Sequence, residues 1–162
     1  RKVFKSIIYR NEELDDILED ESIFWNDDIE IVQSFVHKTI KQFKQSEGTD
    51  QLLLPMFNND EDREYATKLI RESLLNELSY REQITRHAKN WDFERIAFMD
   101  VIIMQVAIAE LYAFNSIPIN VTLNEYIDIA KSYSTPKSST FINGILDAVV
   151  TESKKNKTLL KN

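Results

Sequence analysis

Residues 95–111 read RIAFMDVIIMQVAIAEL, and this stretch decides the fold. Its polar residues Arg95, Asp100, Gln105 and Glu110 recur every five positions. At about 100° per residue, such a series steps around a helix axis by about 140° each time, so no continuous polar face forms. A helix apolar on nearly all sides must be surrounded by other helices. The stretch therefore predicts the central buried helix of an all-α bundle, spanning about 93–114. The surrounding run Ile96–Phe114 has membrane length, but Asp100, Gln105 and Glu110 interrupt it. Three such residues at membrane depth would be costly, which favours a core helix over a spanning one.

Working outward, Asp92 is placed to cap this helix, with Trp91 and Ile96 as a hydrophobic staple. Upstream, Asp60–Asn90 reads as one long, charged helix with Tyr65, Leu69, Ile70, Leu74, Leu78 and Ile84 along it. Downstream, Pro118 closes a turn, and Thr122 with Glu125 forms a capping box for the next helix. Pro136 suits the first turn of the last helix, in which Ile142, Ile145, Leu146 and Val149 face inward. Gly144, inside that helix, costs about 1 kcal/mol relative to alanine and predicts a close helix–helix approach.

The first part of the chain has helical spacing over Val3–Leu18 with a break near Asn11. Asp27 and Glu30 have capping-box spacing before a stripe of Val32, Phe35, Val36, Ile40 and Phe43. Gln45–Asn59 has no sustained period and is the long connection, with Leu52–Leu54 and Phe57 apolar enough to pack on the bundle. The expected organisation is an N-terminal helical segment at 1–59, a helical domain at 60–153 and a lysine-rich tail at 154–162.

Composition narrows the function. Two glycines and three prolines in 162 residues are too few for repeated hairpins or a phosphate-cradling loop. No cysteine is present, which removes disulfides, thiolate catalysis and Cys-type zinc sites. The two histidines, His37 and His87, fall on different helices, and neither has a glutamate three residues earlier, so no metal site and no catalytic centre is expected. A net charge of −7 argues against a general nucleic-acid coat and leaves only a local basic patch. No signal peptide is legible and a cytoplasmic location is expected, while the opening Arg1 suggests a fragment or processed product.

Within about 91–149, four features in order resemble the NusB family of transcription antitermination factors. They are the buried helix ending Ala109-Glu110-Leu111, the Ile117-Pro118 turn, and the helix built around Asn124-Glu125 and Ala130-Lys131. The fourth is Lys137-Ser138 followed by Phe141-Ile142-Asn143-Gly144-Ile145-Leu146-Asp147. The resemblance implies two packed three-helix bundles, no enzymatic activity and no cofactor. It also implies binding of single-stranded boxA-type leader RNA together with the ribosomal protein NusE, and action on the RNA polymerase antitermination complex. Carried onto this chain, the RNA surface includes Lys137, Ser138 and Phe141, and Asp100 takes the place of an acidic residue associated with NusE contact.

Three departures from the family pattern stand out, the first being an acidic connection, Glu12–Asp28, with no family counterpart. The arginine-rich first helix is reduced to Arg1, Lys2, Lys5 and Arg10, so an RNA arm is expected to lie outside this chain. The glycine usual after the penultimate helix is replaced by Ser134-Thr135-Pro136. The alternatives are a NusB-like accessory domain of an RNA cytosine methyltransferase and a helical adaptor that binds only protein.

Overall fold

A computed structural model describes residues 2–22, 25–49, 51–88, 96–159 and 161, apart from the side chains of 26–28. Every regular element among these residues is helical, in keeping with the all-α expectation. The chain forms two compact units, Arg1–Asn58 and Asn59–Asn162.

The first unit holds a π-helical turn at Phe4–Ile8, α1 (Glu12–Glu21), α2 (Trp25–Gln42) and a short 3-10 turn at Gln45–Glu47. The break expected near Asn11 is present. Arg10 takes a left-handed φ of 57°, and the Asn11 carboxamide accepts from the Leu14 amide at 2.9 Å to start α1. Gln33 on α2 is buried and stitches the two helices together. It accepts from the Arg10 amide at 3.0 Å and donates to Asp15 at 3.1 Å. Because α2 already begins at Trp25, Asp27 lies inside the helix rather than at its N-cap. Glu30 pairs with Arg10 at 3.1 Å. Leu52 and Leu53 stay exposed rather than packing, and Ile31, Phe35 and Phe43 line an open apolar groove with Leu54 and Met56.

The second unit comprises α3 (Asp60–Leu75), α4 (Glu77–His87), α5 (Phe98–Ala113), α6 (Ile119–Tyr133) and α7 (Ser138–Lys155). Helix α5 packs against all four others, and ten of its 16 residues are buried. This is the surrounded helix that its all-round apolarity requires. The helix begins at Phe98 after Ala97 rather than near 93, so Asp92 does not cap it, and residues 91–95 lie outside the described residues. The core is built from Tyr80 and Ile84 of α4, Met104, Ala107, Ile108 and Leu111 of α5, Leu123, Tyr126 and Ala130 of α6, and Ile142, Leu146 and Val149 of α7.

Three local expectations are corrected. The long helix over 60–90 is two helices, because the Asn76 side chain turns back onto the Glu72 carbonyl at 3.0 Å and competes with the helical backbone. The inward face of α3 carries Leu69 and Ser73, while Ile70 and Leu74 remain exposed. Thr122 is not a cap: α6 begins at Ile119 after Pro118, and Thr122 is wholly buried within it. Gly144 faces solvent, and a Cβ built there would meet nothing within 4 Å, so no neighbouring helix requires the glycine.

The two ends of α5 are finished differently. At its C-terminal end the Lys68 ammonium donates to the Ala113 carbonyl at 2.8 Å, and that of Lys161 to the Phe114 carbonyl at 3.0 Å. These cations answer the negative end of the helix dipole, the Phe114 carbonyl also accepting from the Ile117 amide at 3.2 Å. Burial pushes the Lys161 ammonium below its usual range. One turn back, buried Glu110 accepts from the hydroxyls of Tyr65 and Tyr126. Burial and the neighbouring carboxylate push both phenols above their usual range, so both remain donors. At the other end of α5 lies Asp100.

Candidate nucleic-acid interface

The residues expected to form a site converge where α5 begins, α6 ends and α7 begins. Ser134 ends α6 in an extended conformation, Thr135-Pro136 make the turn, and Lys137 precedes the first residue of α7. The Ser138 amide donates to the Thr135 carbonyl at 2.9 Å, which closes the turn into the helix. Pro136 stands two residues before α7 rather than inside its first turn.

Lys137 is exposed. Lys137 has no side-chain capping bond to α7, and the first residue of the helix, Ser138, donates to the buried Asp100 carboxylate, so the dipole of α7 is answered from inside and Lys137 is the exposed positive charge. Phe141 follows one helical turn later on nearly the same face, because residues four apart on a helix are neighbours. Its ring is half-buried, with part packed against the core cluster beside fully buried Ile142. Phe141, expected on the RNA surface, is therefore also a packing residue. Packing fixes the ring and leaves part of it accessible.

Ser138 and Asp100 are corrected. Asp100 was expected on an exposed partner-docking surface, yet it is only 5% exposed. Its Oδ1 accepts from the Ser134 hydroxyl and its Oδ2 from the Ser138 hydroxyl, the latter at 2.8 Å. A carboxylate taken out of water in the core needs such donors, and burial here leaves no surface for a partner to touch. Ser138 is likewise buried with its hydroxyl engaged by Asp100, so its side chain does not face RNA. The exposed residues at this end of α5 are its apolar neighbours Phe98 and Met99, 71% and 41% exposed.

Sequence reasoning missed Ser134 and Thr135 as parts of the site. Ser134, Thr135 and Ser138 flank Pro136 in the sequence, but nothing along the chain places them beside Asp100. Among the described residues no group of His, Asp and Glu side chains is arranged to hold a metal ion, and no helix is long and apolar enough to cross a membrane.

Known proteins similar to this chain agree with one another. A sequence model described as the NusB family matches residues 28–151. The transcription antitermination protein NusB of Salinibacter ruber is 37% identical over 121 residues, covering 71% of this chain and 76% of the relative. That of Chloroherpeton thalassium is 41% identical over 100 residues, covering 62% of this chain and 47% of the relative. That of Methylacidiphilum infernorum is 31% identical over 128 residues, covering 76% and 88%. Among solved structures, T. maritima NusB matches with a TM-score of 0.58 and 29% identity, covering 76% of this chain and 87% of that one.

Proposed function

The chain belongs to the NusB family of transcription antitermination factors, and from that premise we propose that it binds single-stranded boxA-type leader RNA at the start of α7, in company with NusE. The named relatives are transcription factors rather than enzymes. In this reading the RNA–NusE complex acts on RNA polymerase in the cytoplasm.

One observation carries the RNA reading: an exposed lysine and a part-buried, packed aromatic lie one helical turn apart at the start of α7. Lysine serves a phosphate, and the ring face serves an unpaired base, which a single strand presents freely. With a net charge of −7, affinity must come from such a local arrangement rather than from the field of the whole chain. A protein partner at the start of α5 would meet exposed Phe98 and Met99.

The test is a titration of labelled single-stranded boxA RNA, with and without NusE, at several salt concentrations. Lys137→Ala should flatten the log–log salt dependence by about 0.7, one phosphate contact on a single strand. Phe141→Ala should weaken binding by about 1–3 kcal/mol, the worth of one stacked base. A folded Lys137→Ala, Phe141→Ala double variant that binds RNA as the parent does would remove this surface. NusE binding without any RNA binding would support the adaptor instead.

A further inference from the structure

We infer that Asp100 is a positioning residue for RNA: its buried carboxylate ties the end of α6 to the start of α7 and so holds Lys137 at the RNA surface. The inference rests on the RNA reading above and adds to it a residue that touches no RNA.

The geometry is specific. Ser134 and Ser138 stand on either side of the three-residue segment Thr135, Pro136 and Lys137, and both bind the same carboxylate, one to each oxygen. Thr135 Oγ1 lies 2.8 Å from Ser138 Oγ, and Ser134 Oγ lies 3.0 Å from it. Three hydroxyl protons serve four contacts, and one assignment gives both carboxylate oxygens a donor, with no proton left between Ser134 and Ser138. Ser134 donates to Oδ1, Ser138 donates to Oδ2, and Thr135 donates to the Ser138 oxygen. The segment bearing Lys137 is thus a short bridge clamped at both ends to one atom group on the central helix.

The charge belongs to the arrangement. Asp100 lies in the first turn of α5 and bonds to the first residue of α7, so two helix N-termini bear on the carboxylate. An ionised carboxylate accepts at both oxygens, and its hydrogen bonds are about twice as strong as neutral ones. An asparagine would place an NH2 against one hydroxyl, whose proton would have to turn elsewhere. The hydroxyl oxygen would accept from that NH2, so both contacts would persist only as neutral hydrogen bonds, about half as strong, while the side-chain volume stayed almost the same.

The experiment uses the full chain and labelled single-stranded boxA RNA, comparing the parent, Asp100→Asn, Ser138→Ala, Lys137→Ala and the Asp100→Asn, Lys137→Ala pair, well below each melting point. Asp100→Asn should weaken RNA binding about tenfold and flatten the salt dependence by about the 0.7 that Lys137→Ala alone removes. In the pair the slope should fall no further, because a lysine already lost is not there to be mispositioned. A merely structural role would lower the melting point and leave the slope of the folded protein unchanged. Ser138→Ala removes one end of the clamp with the carboxylate intact; it should show the same flattening and decides the matter if Asp100→Asn does not fold. If Lys137→Ala flattens the slope but neither Asp100→Asn nor Ser138→Ala does, the clamp is overturned and the RNA reading stands. If the parent binds no RNA, both are overturned.

Discussion

Tyr126 donates to the buried Glu110 carboxylate at 3.2 Å, and Tyr65 donates to the same oxygen. Removing one of two donors from a charge held out of water leaves part of its desolvation unanswered. Tyr126→Phe should therefore lower stability by about 1–3 kcal/mol with little loss of packing, measured by urea unfolding. A change within experimental error would mean that water reaches Glu110. Gly144 makes the opposite case at the same scale. It sits mid-helix, faces solvent, and has open space where a Cβ would go. Gly144→Ala should raise stability by about 1 kcal/mol, since the alanine restricts the unfolded chain and crowds nothing in the fold. A destabilised alanine variant would contradict the open space around this position.

Helices α4 and α7 are joined by a charged latch. Glu152 of α7 accepts from Arg86 at 2.8 Å and contacts His87 Nε2 at 2.7 Å. The guanidinium and the imidazole hold the Glu152 carboxyl below its ordinary value of 4.5. A depressed carboxyl contributes stability that is present above 4.5 and lost as pH falls through the lowered value. The parent should therefore melt higher than Glu152→Gln at neutral pH, with the gap closing below 4.5 in a series of melting curves. A gap that persisted into strong acid would show that the latch is not electrostatic. The same helix pair shows where element boundaries escape sequence reading. The apolar spacing through Leu74, Leu78 and Ile84 is continuous across Asn76, so the sequence alone runs α3 into α4. The break depends on whether the Asn76 carboxamide turns back to the Glu72 carbonyl, a choice that no periodicity records.

Across the whole molecule burial is uneven. Helix α1 has no buried residue, whereas ten residues of α5 are buried. Amide hydrogen exchange should reflect this, with the slowest exchange in α5 and fast exchange in α1, since opening energy follows buried apolar contact. Equal protection of α1 and α5 would overturn that ordering. Net charge acts at this scale too. With −7 overall, duplex DNA should compete poorly for the RNA site, because a duplex offers phosphates but no free base for the Phe141 ring.

The sequence by itself determined the class of fold and its centre. Asp100, Gln105 and Glu110 at five-residue steps leave no polar face on that helix, and such a helix must be enclosed whatever its neighbours are. It also determined the family, through motifs whose order and spacing are local properties of the chain. Tertiary structure alone decided what Asp100 does. An acid on an apolar helix reads equally as an exposed docking point or as a buried, satisfied charge. The difference lies in donors 34 and 38 residues away, Ser134 and Ser138, which only the packing of α6 and α7 onto α5 brings within bonding distance. The same holds for Phe141, whose share of burial depends on how α7 turns about its axis against the core. Periodicity is written along the chain; the pairing of a buried charge is settled between elements far apart in it.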